Sequence, residues 1–198
     1  MNQRVVGVVL AAGASRRAGF AKALAVLEGE TFLQRSCSAL AAGGCAAVYV
    51  VIGGPLRERI REELPRGAYF CENSAPGRGM SSSLAVALSL PDVARADAVV
   101  VSLVDHPRVK PETIAALIAQ WRVTRAGFVR LTHAGRGGHP YMLDRRLFTA
   151  FLALPRGSDP RPFFAEHLEE LEVGDAGVLD DADEAGEVLA LGGEPPRT

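Results

Sequence analysis

Lysine is nearly absent from this chain: Lys22 and Lys110 are the only two, and arginine supplies every other basic side chain. Where a chain uses Arg almost everywhere, a Lys marks a place that calls for a compact ammonium rather than a planar fork. Lys110 precedes Pro111 at a predicted helix start and reads as a solvated side chain, which leaves Lys22 as the informative one. Cysteine is equally scarce. Cys37, Cys45 and Cys71 form no CxxC pair, and so odd and sparse a set in a chain without a signal points to reduced thiols in the cytoplasm. Each reads as a small buried apolar residue. No apolar stretch reaches membrane-spanning length, and no charged start leads into a signal-peptide core, so no membrane partner is expected. Charge of one sign is missing too: the net charge is −1, which gives no basic field for nucleic acid. Internal repeats and low-complexity tracts are also lacking.

What is present is a soluble globular composition, 48% apolar and 23% charged over 198 residues, enough for one domain with a substantial core. Apolar runs of strand length alternate with helix-like segments. Val5–Leu10, Ala47–Ile52, Ala68–Cys71 and Ala98–Val104 read as strands. Thr31–Ala42, Leu56–Leu64, Met80–Leu90 and Pro111–Arg122 read as helices between and after them. Phe128–Thr132, Tyr141–Leu143 and an edge strand at Glu170–Val173 follow, with helices at Arg145–Leu154 and Pro162–His167. Continuous Val-rich strands alternating with helices predict an α/β fold: a single-domain, three-layer α/β/α sandwich around a mostly parallel, Rossmann-like sheet. Residues 1–191 form that domain, and 192–198, with two prolines, read as a frayed tail.

Ligands of such sheets bind beyond the carboxyl ends of the strands. Three polar groups fall there. The first follows Val5–Leu10 and runs Leu10-Ala11-Ala12-Gly13-Ala14-Ser15-Arg16-Arg17-Ala18-Gly19-Phe20-Ala21-Lys22. Small residues and glycines let a ligand lie against the main chain, whose N–H groups can cradle phosphate oxygens, and Arg17 and Lys22 add full charges. Neither the Gly-Lys-Ser/Thr of a Walker loop nor the Gly-x-Gly-x-x-Gly of a dinucleotide fold is present. The second group is Asn73 with Gly79-Met80-Ser81-Ser82-Ser83, which serves either as a helix cap or as a contact to ribose, base or phosphate. The third is Asp105, which either holds Mg2+ or caps the turn at His106-Pro107.

Two further features stay open on the residues alone. Asp181-Ala182-Asp183 places two carboxylates on one side of an extended segment, yet it also reads as a solvated acidic loop. His139 in Gly137-Gly138-His139-Pro140 is a turn residue or a contact to a substrate. His106, His133 and His167 show no metal-ligand spacing, and no nucleophilic triad can be picked out.

These residues resemble the MobA-like nucleotidyltransferases. Leu10–Lys22 is similar to the L-A-A-G-x-S-x-R-M-G-x-x-K signature, with Ala18 in place of Met. Asn73 with Gly79–Leu84 resembles the N-x5-G-M-S-S-S-L segment of the molybdenum cofactor cytidylyltransferase branch. Asp105-His106-Pro107 resembles D-x-P, Gly138-His139-Pro140 resembles G-H-P, and Asp181-Ala182-Asp183 falls where the family has D-I-D-T-P. Glu184-Ala185 departs from that Thr-Pro, and Gly157–Arg161 only loosely follows G-D-x-G-A-R.

The resemblance implies an enzyme that transfers CMP from CTP to a phosphorylated acceptor such as molybdopterin, with Mg2+ as cofactor and pyrophosphate as product. A molybdoenzyme client is a further implied partner. Arg17, Lys22 and Asp105 would be catalytic. Leu10, Ala11, Ala12 and Gly13 would contact the nucleotide with Arg17 and Lys22, and Asn73, Gly79, Ser81, Ser82 and Ser83 would face its base and ribose. Asp105 and Asp183 would hold the metal, and His139 would meet the acceptor. The alternatives are the same chemistry with GTP or another nucleotide and a sugar phosphate, or a non-catalytic accessory protein that only binds nucleotide.

Overall fold

The computed structural model describes residues 3–13, 20–182 and 185–196. Seven strands make one sheet: β1 (Val5–Leu10), β4 (Val48–Gly53), β5 (Ala68–Asn73), β6 (Ala98–Leu103), β7 (Phe128–His133), β8 (Arg136–Asp144) and β9 (Leu168–Glu172). Their order is β5-β4-β1-β6-β8-β7-β9. A second sheet joins β2 (Val26–Leu27), β3 (Glu30–Thr31) and β10 (Gly193–Glu194). The helices are α1 (Phe32–Ala42), α2 (Arg57–Glu62), α3 (Met80–Leu88), α4 (Pro91–Ala94), α5 (Pro111–Thr124), α6 (Phe148–Leu152), α7 (Arg161–Ala165) and α8 (Ala185–Ala190).

The predicted three-layer α/β/α sandwich is the fold observed. Residues along β1 alternate between two cores, as the period-2 geometry of a strand requires. Val5 and Val9 face one core with Leu33 and Leu40 of α1 and Ile114, Leu117 and Trp121 of α5. Val6, Val8 and Leu10 face the other with Leu84 and Leu88 of α3 and Phe148 and Phe151. Helix α1 starts at a capping box, in which Thr31 accepts from the Gln34 backbone and the Gln34 side chain accepts from the Thr31 N–H. The indole of Trp121 donates to Asp144 at 2.9 Å, fixing α5 to the end of β8.

Register decides what meets at the sheet edge. Strand β1 runs parallel to β6 with Leu10 beside Leu103, and β4 runs parallel to β5 with Gly53 beside Asn73. The chain therefore leaves β1, β5 and β6 at one edge. Strand β8 is the antiparallel member, pairing with both β6 and β7. Its direction follows from the turn at Ala134-Gly135, where both residues have positive φ, 51° and 73°. That is the backbone of a tight two-residue hairpin. An antiparallel β8 brings its first residues, His139 among them, to the edge where β6 ends.

Several short elements differ from the sequence reading. The two-residue strands β2, β3 and β10 are too short for any periodicity to show. Gly193–Glu194, read as frayed tail, instead pairs antiparallel with Val26–Leu27.

All three cysteines are buried, and burial pushes their thiols up, to about 12 for Cys37 and Cys45 and about 11 for Cys71. Thiolate is the reactive form, so a disulfide reagent at pH 8 is expected to label none of the three in the native protein and all of them in denaturant. Fast labelling of the native chain would contradict this packing.

Candidate active site

The edge where β1 and β6 end opens into a cleft of about 210 Å³ bordered by Leu10, Ala11, Ala12 and Gly13, by Lys22, by Gly79, Met80 and Ser83, and by Asp105. Ala11 leaves β1 with its N–H bound to the Val51 carbonyl. Among the described residues, a β-carbon on Gly13 would meet nothing within 4 Å. Lys22 begins the short 3-10 turn Lys22–Leu24, which the buried Ala23 and Leu24 anchor in the core.

Lys22 and Asp105 are in direct contact, Nζ to Oδ2 at 2.6 Å, with side chains 14% and 16% exposed. The other carboxylate oxygen of Asp105 accepts from Nδ1 of His106 at 3.1 Å, which requires the proton on Nδ1. Burial pushes the Asp105 carboxyl up, but the His106 hydrogen bond and the Lys22 ammonium outweigh it and hold the group well below the usual carboxylate range. His106 is itself buried, and its ring meets that of His139 edge-on at 5.2 Å. Arg35 of α1 donates to the Pro107 carbonyl at 3.0 Å and secures the same loop.

The C-terminal acidic segment also reaches this loop. The Ala182 N–H donates to the Asp105 carbonyl at 3.1 Å, with Ala182 fully buried. Asp175 sets up that approach: it accepts from the Lys110 N–H and the Thr113 hydroxyl at the start of α5, and from the Gly177 N–H. Gly138 leaves room for it, since a β-carbon there would fall 2.2 Å from the Val178 carbonyl oxygen.

The residues predicted to face the base and ribose divide. Gly79 and Ser83 border the cleft, whereas Asn73, Ser81 and Ser82 border a neighbouring cavity. The Asn73 amide is engaged within its own loop, donating to the Ser82 and Ser83 hydroxyls at 2.9 and 3.0 Å and accepting from the Ala75 N–H at 2.9 Å. Asn73 therefore shapes the loop. The serines do not cap α3 either: the N-cap is Gly79, at φ 88°, with no side-chain cap. That angle belongs to the region where glycine is favoured. Arg17 and Asp183 lie outside the described residues.

His139 is held between His106 and Tyr141, its ring centre 5.5 Å from the tyrosine. Burial, then the nearby His106, pushes it down to about 4. Its Nδ1 is buried with no hydrogen-bond partner among the described residues. His106 and Asp175 were not singled out for the site by sequence reasoning. The visible signals were a His beside the strand-end Asp and an acidic residue two before Gly177.

A divalent cation fits Asp105. Among the described residues each carboxylate oxygen has one side-chain partner and keeps a further lone pair, and hard oxygen ligands suit Mg2+ or Mn2+. No cluster of three His, Cys, Asp or Glu side chains occurs among the described residues, so substrate phosphates and water would complete the coordination. No helix among the described residues is long and apolar enough to cross a membrane.

The ends of β1 and β6 thus bring Ala11–Gly13, Lys22 and Asp105 to one cleft. The MobA-like NTP transferase domain matches residues 7–171, and the chain belongs to that family. Among solved structures it is similar to Rv0371c from Mycobacterium tuberculosis H37Rv, at 27% identity over 96% of this chain and 98% of that one, with a TM-score of 0.82. The manganese complex of Rv0371c aligns over the same shares at 24% identity and TM-score 0.76. A Methanothermobacter nucleotidyl transferase matches at 20% identity over 96% of each chain, TM-score 0.80. A CMP:2-keto-3-deoxy-manno-octonic acid synthetase complexed with CTP matches at 16% over 86% and 90%, TM-score 0.71. No protein of curated function matches the sequence significantly.

Two outcomes follow from this geometry. Gly138→Ala is expected to destabilise the fold by about 2–3 kcal/mol through backbone overlap, read as a lowered midpoint in urea; an unchanged midpoint would refute the close approach. His139 has a native pKa below the ordinary His value of about 6.5. Between the two values the unfolded chain binds more protons, so stability is full above pH 6.5 and falls as pH drops toward 4. From pH 7 to 5 the native protein should lose on the order of 1 kcal/mol more than a His139→Gln variant; parallel pH profiles would contradict the burial of this imidazole.

Proposed function

We propose that the chain transfers CMP from CTP to a phosphorylated small-molecule acceptor, molybdopterin, in a Mg2+-dependent reaction in the cytoplasm. The observation that carries this reading is the Lys22–Asp105 contact on the floor of the cleft. An acceptor phosphate oxygen attacks the α-phosphorus of the nucleotide. The bond from that phosphorus to the bridging oxygen breaks, and the electron pair departs with pyrophosphate. Such a displacement calls for alignment and charge neutralisation more than for a general base.

The backbone of Ala11, Ala12 and Gly13 holds the nucleotide against the end of β1. Lys22 offsets negative charge that builds at the α-phosphate, and Arg17 grips the departing pyrophosphate. Asp105 would hold the metal, with Asp183 as a second ligand; its chain neighbour Ala182 donates its N–H to the Asp105 carbonyl. The bound cation supplies charge neutralisation at the phosphates. Gly79 and Ser83 face the nucleotide, with Asn73 keeping their loop in shape. The manganese complex of Rv0371c supports a divalent metal, and the CTP complex of the octonic acid synthetase supports a cytidine nucleotide. The Gly79–Leu84 segment supports the same base and the molybdopterin acceptor.

A nucleotide that binds only the folded state raises stability by mass action. CTP with Mg2+ is therefore expected to raise the melting temperature more than GTP, UTP or ATP, and pyrophosphate should appear only when acceptor is added. Lys22→Ala and Asp105→Asn should each lower that release about 100-fold or more. Release that survives unchanged in either variant would overturn the assigned roles, and GTP stabilising more than CTP would overturn the base.

A further inference from the structure

The large sheet has two edges, and the chain treats them differently. Strand β9 at one edge carries Glu169, Glu170 and Glu172 within its five residues. Charged side chains of that kind keep an edge strand from pairing with another chain. Strand β5 at the other edge has no such protection. It holds no proline, its register with β4 runs unbroken from Ala68 to Asn73, and Glu72 is its one charge.

Instead, each face of β5 carries an exposed aromatic ring. Tyr69 is 56% exposed and stacks on Tyr49, with ring centres 5.1 Å apart. Phe70 is 39% exposed on the opposite face, under the Arg61 guanidinium at 4.7 Å. Both rings are thus ordered by their own chain. The backbone is open as well. The Gly7 and Ala11 N–H groups donate to the carbonyls of Ala47 and Val51, so those two residues face β1. Strand alternation then turns Val48, Val50 and Ile52 toward β5, where they meet Tyr69, Cys71 and Asn73. It leaves the N–H and C=O groups of Phe70 and Glu72 at the open edge.

We propose that β5 is where two copies of this chain associate: an antiparallel pair of β5 strands, related by a two-fold axis at Phe70, joins the two sheets into one. Ala68–Glu72 lies along its counterpart, with Phe70 opposite Phe70 of the second copy and Ala68 opposite its Glu72. A second copy fits better than a foreign strand because the segment is self-complementary in charge. The exposed Arg66 precedes β5, and Glu72 stands near its other end. Antiparallel pairing sets each arginine diagonally across from a glutamate of the other copy, within reach of a long side chain. Within its own chain Glu72 has only a loose, half-exposed pair with Arg57, at 3.9 Å. The two Phe70 rings meet at the axis and cover apolar surface that a lone chain leaves in water. The clefts of the two copies open at opposite edges of the joined sheet, so neither obstructs the other.

Sedimentation equilibrium of the full chain, from about 1 µM to about 500 µM, tests this. A small strand-edge interface should give a dimer with a dissociation constant on the order of tens of micromolar. Phe70→Lys and Arg66→Glu should each weaken it about tenfold or more, and combining Arg66→Glu with Glu72→Arg should restore it. Tyr69→Lys, on the other face of the strand, is a second edge variant and should weaken it likewise. All four positions lie outside the cleft, so melting temperature and CTP binding of the dilute protein should stay as in the parent. A dimer that Phe70→Lys, Tyr69→Lys and Arg66→Glu all leave intact would overturn the proposal, as would a double variant no tighter than Arg66→Glu alone. A chain that stays monomeric at the highest concentration would leave this edge to another protein's strand, and the proposal would fall.

Discussion

The contact between Lys22 and Asp105 ties together segments 83 residues apart. It closes only because β1 and β6 are neighbours with Leu10 and Leu103 in register. Two opposite charges this far from water are stable only when matched and further hydrogen-bonded, and His106 meets that need on the second oxygen. The 3-10 turn that carries Lys22 and the loop after β6 are thus held by one electrostatic link. The cleft floor, the approach of the Asp181–Ala182 segment and the orientation of His139 are all built out from it.

Around that link the protein relies on backbone contact more than on side chains. Ala182 reaches Asp105 through a main-chain hydrogen bond, Gly138 admits the Val178 carbonyl, and Gly177 sits where a β-carbon would fall 2.5 Å from the Arg108 carbonyl oxygen. The segment Asp175–Ala182 is therefore fitted against the loop after β6 and the start of β8 at van der Waals distance. Such packing leaves little freedom around Asp105 and the loop that follows β6.

Much of this was legible in the sequence because burial writes itself as continuous apolar runs. Val5–Leu10 was read with its observed bounds, and Asp105 was read as the residue beyond a buried strand. Lys22, at the end of the glycine loop, was read as a residue of the same site as Asp105, and the two are in contact. Other features were not legible for physical reasons. The direction of β8 depends on Ala134 taking a left-handed angle, which nothing in Ala-Gly announces as Asn-Gly would. Asn73 was read as facing a ligand, but a side chain's partners depend on tertiary neighbours, here the serines nine and ten residues on.

The small sheet has a consequence for the order in which the site can be completed. Strand β10 pairs with β2, four residues after Lys22, and β2 pairs with β3 at the start of α1. During synthesis the N-terminal strands are available early, but the brace on the lysine turn cannot form until Gly193 and Glu194 have left the ribosome. The chain thus postpones the bracing of the turn that carries Lys22, so a nascent fragment holds most of the fold before its strand-end cleft is fully braced.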